Sequence, residues 1–79
     1  MSSGPTVSDL LASRGLTPAK VEAAHGISSA TVYRAKRGMT PKPLYLAGLA
    51  RVLGVSEAML SDAIARSRAA QRRKARAAS

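Results

Sequence analysis

Cysteine, phenylalanine and tryptophan are absent from the 79 residues, and Tyr33, Tyr45 and His25 are the only other ring-bearing side chains besides four prolines. Without thiols there is no disulfide framework and no thiolate zinc site to support a small core, and the redox compartment cannot be read from cysteine usage. Without Phe or Trp, burial falls to Leu, Val, Ile, Met and Ala, and the stacking surfaces that hold single-stranded nucleic acid are almost missing. A lone His25 has no second His or Cys to complete a metal site, so neither a metal nor a cofactor is expected. Acids are scarce: Asp9, Glu22, Glu57 and Asp62 are dispersed, and no nucleophile with an adjacent base stands out. There is no glycine-rich phosphate loop either, so no catalysis is expected. Long apolar runs are also absent. Nothing approaches the roughly 20 residues that span a bilayer, and MSSGPTVSD has neither the basic start nor the apolar stretch of a signal peptide. These absences predict a soluble, cytoplasmic protein.

What is abundant is positive charge. Thirteen Lys and Arg against four Asp and Glu give a formal net charge of +9, a field that favours a polyanionic partner. The charge is uneven. All four acids precede Arg66, whereas Arg66, Arg68, Arg72, Arg73, Lys74 and Arg76 crowd the end without an acid among them. Such a tail has the composition of a nucleic-acid arm, and it lacks the large apolar residues of a membrane-surface helix. Its bland alternative is a solvated extension that aids solubility.

The order of turn and capping residues divides the chain into a polar N-terminal arm (1–6), an α-helical domain (7–65) and a basic tail (66–79). Ser8 is expected to cap a first helix reaching about residue 14, with Leu10 and Leu11 inward and Gly15 ending it. Thr17 caps a second helix that has Pro18 at its first position and runs to about 25. Gly26 permits a sharp turn, Ile27 packs into the angle, and Ser28 caps a third helix starting at Ser29. Val32 and Ala35 form its buried stripe, leaving Ser29, Ala30, Tyr33, Arg34 and Arg37 outward. After MTPKP, Pro43 opens a fourth helix whose apolar surface comprises Leu44, Leu46, Leu49, Ala50, Val52 and Leu53. Gly54 closes it, and Ser56 caps a fifth helix containing Met59, Leu60, Ala63 and Ile64. Beyond Ile64 the helix formers Ala, Arg, Gln and Lys allow a solvated continuation that frays.

Three segments in this order, RGLTPAKV, GISSATVYRAKRG and LARVLGVSEAML, give the chain its likeness. Over roughly residues 7–60 it resembles the Cro and lambda-repressor-like helix-turn-helix family of the xenobiotic-response-element type. The resemblance implies an all-α, compact five-helix DNA-binding domain in which helices two and three form the helix-turn-helix. It also implies a transcriptional regulator of the phage-repressor, Cro or antitoxin kind that binds double-stranded DNA, as a homodimer on a palindromic operator or with a protein partner. By position, the base-reading places fall on Ser29, Ala30 and Arg34. Arg suits that role because its planar fork donates two hydrogen bonds to guanine O6 and N7, and an alanine methyl meets a thymine methyl. Arg34 lying along the helix toward a phosphate is the competing reading. Thr31, Tyr33, Arg37, Thr40 and Lys42 fall where the backbone is held, and Arg72, Arg73 and Lys74 add phosphate contacts from the tail. A compact dimer contact through Met59, Leu60, Ala63 or Ile64 is the corresponding expectation for helix five.

The sequence also departs from the family pattern. Pro18 replaces a Gln that anchors a phosphate, and Glu22 and His25 stand where a small and an aliphatic residue are usual. Either helix two is rotated so that Ala23 and Ala24 face inward, or Glu22 lies at the rim and accepts a hydrogen bond from a helix-three amide. An Arg–Glu pair between helices one and three is replaced by Leu11 and Lys36. A rival helix-turn-helix over 46–66 obeys the internal packing rules, but it would turn Glu57, Ala58, Ser61 and Asp62, two of them acids, toward phosphates. The second functional reading is an architectural or recombination-accessory, excisionase-like protein that bends DNA with little sequence choice.

Overall fold

Four of the five described helices start at a side-chain oxygen placed to hold a free amide. The computed structural model describes residues 4–78, in the order α1 (Val7–Ser13), α2 (Pro18–His25), α3 (Ser29–Lys36), α4 (Pro43–Leu53) and α5 (Glu57–Ala78), with no strand among them. Thr17 Oγ1 accepts from the Lys20 amide at 3.2 Å, and Ser56 Oγ from the Met59 amide at 3.0 Å, as the capping residues predict. At α4 no side chain caps the start; Pro43 at the first position removes one of the amides that would need it.

The first helix differs from its expected form. Thr6, not Ser8, is the cap: its hydroxyl accepts from the Asp9 amide at 3.2 Å, while the Asp9 carboxylate accepts from the Thr6 amide at 2.9 Å. This reciprocal capping box starts the helix early enough to bury Val7 alongside Leu10 and Leu11. The Thr6 backbone amide, then the Thr6 side chain, hold the Asp9 carboxyl below the usual carboxylate range. The described part of the expected arm, residues 4–6, is tied to the fold. Residues 1–3 lie outside the described residues, but Gly4 lies against the Arg66 guanidinium, and the Pro5 carbonyl accepts from Arg66 Nη1 at 3.3 Å.

Helix α5 is the centre of the packing, in contact with α1, α3 and α4, while α2 packs on α3. With 22 residues at 1.5 Å each it is about 33 Å long, against a longest extent of 37 Å. Leu49, Leu60, Ile64, Val7, Val21 and Val32 are the largest fully buried side chains, an aliphatic core as the composition requires. Val32 and Ala35 are buried on α3, and Ile27 fills the corner after α2. On α4 the stripe is narrower than expected. Leu49, Ala50 and Leu53 are buried and Leu46 and Val52 partly so, but Leu44 on the first turn is 78% exposed.

The expected boundary at residue 65 falls inside the packed part of α5. Ser67 is buried, accepting from the Val7 amide at 3.0 Å and donating to the Ala63 carbonyl at 2.8 Å. It is the next member of the stripe Leu60, Ala63, Ile64, with a hydroxyl in place of a methyl. It thereby supplies the first amide of α1 with an acceptor from the far end of the chain. Among the described residues, no single helix is long and apolar enough to cross a membrane.

Candidate nucleic-acid interface

Helices α2 and α3 are joined by the three residues 26–28, which sets the angle between them. Gly26 ends α2 at φ +72°, a left-handed conformation in which most side chains are strained. Ile27 then turns inward and Ser28 outward to cap α3. The Glu22 alternatives resolve in favour of the rim: Glu22 is exposed, and its Oε2 accepts from the Ser29 amide at 2.8 Å. Ala23 and Ala24 are exposed, so the rotated form of α2 is overturned. His25 is exposed in the last turn of α2.

Every free amide at the start of α3 therefore has an acceptor. Ser29 bonds Glu22, Ala30 bonds Ser28 Oγ at 3.2 Å, and Thr31 and Val32 bond the Ser28 carbonyl at 3.0 and 3.3 Å. A helix start in this state is closed as a backbone anion site, and Glu22 places a negative charge on it. Any anion contact at this end of α3 therefore falls to side chains.

Those side chains are presented to solvent. Ala30, Tyr33, Arg34 and Arg37 are exposed, and Ser29 and Thr31 are half-buried at the start of the helix. Thr40 and Lys42 are exposed on the following loop. A concavity of about 500 Å³ brings four of the sequence-selected residues together, Thr31 and Arg34 from α3 with Thr40 and Lys42 from the loop. Gly26, Ser28, Met39, Pro41 and Tyr45 complete its walls. It thus combines two cations with hydroxyls, and no acid lines it. Tyr33 is flanked by Lys36, whose Nζ is 5.5 Å from the ring centroid, a cation–π contact worth about 0.5–1 kcal/mol at an exposed site. This contact holds the Tyr33 ring on the outer face of α3.

Other selected residues lie apart from this cluster. Arg72, Arg73 and Lys74 are exposed on the far part of α5. Outside the selected set, the Arg14 guanidinium lies against Gly54 at the end of α4, and Arg51 is exposed on α4. Of the four residues expected in a dimer contact, Met59 is 41% exposed, but Leu60, Ala63 and Ile64 have no exposed surface. Their place on the inner stripe of α5 commits them to the core of one chain, so they are withdrawn as surface contacts.

Arg68 and Ser67 were not singled out from sequence. The spacing from Ala63 and Ile64 marks Ser67 as a continuation of the inner stripe, a signal masked by its polarity. Arg68 had no such signal: its Nε donates to the Gly38 carbonyl at 2.9 Å, a contact across 30 positions. Among the described residues, no group of three or more His, Asp or Glu side chains is placed to hold a metal ion. Comparison with protein-family models, curated proteins and solved structures gave no match.

Proposed function

We propose that this chain is a sequence-specific double-stranded DNA-binding regulator of transcription, of the Cro and lambda-repressor-like helix-turn-helix kind, acting by binding and not by catalysis. In this reading α2 and α3 are the helix-turn-helix, and α3 enters the major groove. Arg34 reads a base edge, Ser29 and Ala30 make the closer, smaller contacts, and Thr31, Tyr33, Arg37, Thr40 and Lys42 hold the phosphate strands. The observation that carries it is the gathering of Thr31, Arg34, Thr40 and Lys42 around one acid-free concavity next to the exposed face of α3. The net charge of +9 supports a polyanionic partner. The rival unit spanning α4 and α5 has an exposed Glu57 and Asp62 on the corresponding face, and two carboxylates are unfavourable beside phosphates. DNA as the partner implies a cytoplasmic, nucleoid-associated location. A homodimer, if formed, uses surface other than the inner stripe of α5.

Selection of bound sequences from a random duplex pool tests this reading. A recovered motif is expected, and two half-sites about one helical turn apart would identify a dimer. On that motif Arg34→Ala should cost about 1–3 kcal/mol and relax one base position. Equal losses on selected and random duplexes would remove Arg34 from base reading. A pool without any motif, together with strong bending in circularisation, would favour the architectural alternative.

A further inference from the structure

Three consecutive residues of α5 each hold a different part of the fold just before the basic extension begins. Arg66 Nη1 donates to the Pro5 carbonyl, Ser67 Oγ accepts from the Val7 amide, and Arg68 Nε donates to the Gly38 carbonyl. The last of these ties α5 to the end of α3. Gly38 follows α3 at φ +94°, and a Cβ built on it would overlap the backbone and Cβ of Arg68. The two segments therefore touch backbone to backbone, so the direction in which α5 continues is fixed relative to α3.

Helical geometry carries that registration into the extension. Residues four apart lie on one side of a helix with Cβ atoms about 5–6 Å apart, so Arg72 follows Arg68 on the side of α5 that meets the end of α3. Residues seven apart nearly complete two turns, so Arg73 follows Arg66, on the side that meets the N-terminal segment. Arg72 and Arg73 are both exposed, and no acid occurs from Arg66 onward to neutralise them.

We propose that the extension of α5 is a pre-set arm and not a passive charged tail. Arg72 contacts the phosphodiester backbone of duplex DNA where it passes the C-terminal end of α3, Arg73 faces away from that strand, and Arg68 is the positioning residue that makes the two arginines unequal. This rests on the reading of α3 as the groove-binding helix. A fixed arm adds phosphate contacts with little ordering cost, whereas an unstructured tail would use neighbouring arginines interchangeably.

The test is the salt dependence of binding to a duplex that extends a full helical turn beyond the selected site, for the full chain and for Arg72→Gln and Arg73→Gln. Each phosphate contact contributes about 0.9 to the slope of log K against log salt. Arg72→Gln is expected to reduce the slope by about that amount and Arg73→Gln by clearly less. Arg68→Met, which keeps an apolar stem over Gly38 but removes the donor, should make the two substitutions equivalent. Equal effects of Arg72→Gln and Arg73→Gln in the otherwise unaltered chain overturn the arm whatever Arg68→Met does to folding. Persistence of the asymmetry in a folded Arg68→Met chain removes Arg68 from the positioning role. If the unaltered chain binds no duplex at all, the DNA-binding reading falls and the arm with it.

Discussion

Glu22 is the residue at which folding and DNA binding pull in opposite directions. Its carboxylate accepts from the Ser29 amide at 2.8 Å and lies against the positive end of α3, an arrangement that stabilises the helix. In the proposed complex the same charge faces the phosphates. Glu22→Gln keeps an acceptor oxygen in place and removes the charge. It is expected to lower stability by about 0.3–1 kcal/mol while tightening binding to selected and random duplexes alike. Thermal unfolding and duplex titration on the same preparation check the pair of effects, and weaker DNA binding would show that Glu22 contributes to recognition instead. The two positions of Glu22 considered from sequence differ by a small rotation of α2. What decides between them is an amide seven residues away, which helical periodicity does not contain.

At the scale of elements, the punctuation was the legible part. Thr17 with Pro18, Gly26, Ser28, Gly54 and Ser56 act through bonds to the nearest turn, so their roles follow from adjacent residues. The start of α1 is the exception, because Thr6 and Ser8 both carry a capping hydroxyl and Asp9 completes the box only for Thr6. The cluster around Arg34 was legible residue by residue, but the concavity was not, because the loop that carries Thr40 and Lys42 has no periodicity to place it. Leu44 belongs by hydrophobicity to the apolar surface expected of α4 but is 78% exposed on its first turn, and hydrophobicity alone does not say which turn is covered. The junction of α3 with α5 supplies a direct comparison of two glycines. Gly26 and Gly38 both have positive φ, with open space around the Gly26 position and the Arg68 backbone against Gly38. Gly26→Ala should cost about 1–2 kcal/mol from left-handed strain alone. Gly38→Ala should cost more, because overlap in a packed site adds about 1–3 kcal/mol. Chemical denaturation of the two variants measures the difference, and equal costs would mean that the junction yields easily.

For the molecule as a whole, α5 is both the central core helix and the carrier of the basic charge. The two parts overlap at residues 66–68, where the charge run has begun and the long-range hydrogen bonds have not ended. A chain ending at residue 65 loses the acceptor for the buried Val7 amide, and an unsatisfied buried amide costs about 1–3 kcal/mol. It loses the Arg66 and Arg68 contacts as well. Against the marginal stability of so small a domain, such a chain is expected to lose its cooperative melting transition, whereas one ending at residue 70 should keep it. Thermal unfolding followed by circular dichroism distinguishes the two, and an unchanged transition at 65 would return the boundary to its sequence-derived place. The Ser67–Val7 hydrogen bond also orders events in time. Because α1 is completed by a hydroxyl 60 positions later, the first helix is secured only once α5 has formed as far as Ser67, about half of its 22 residues.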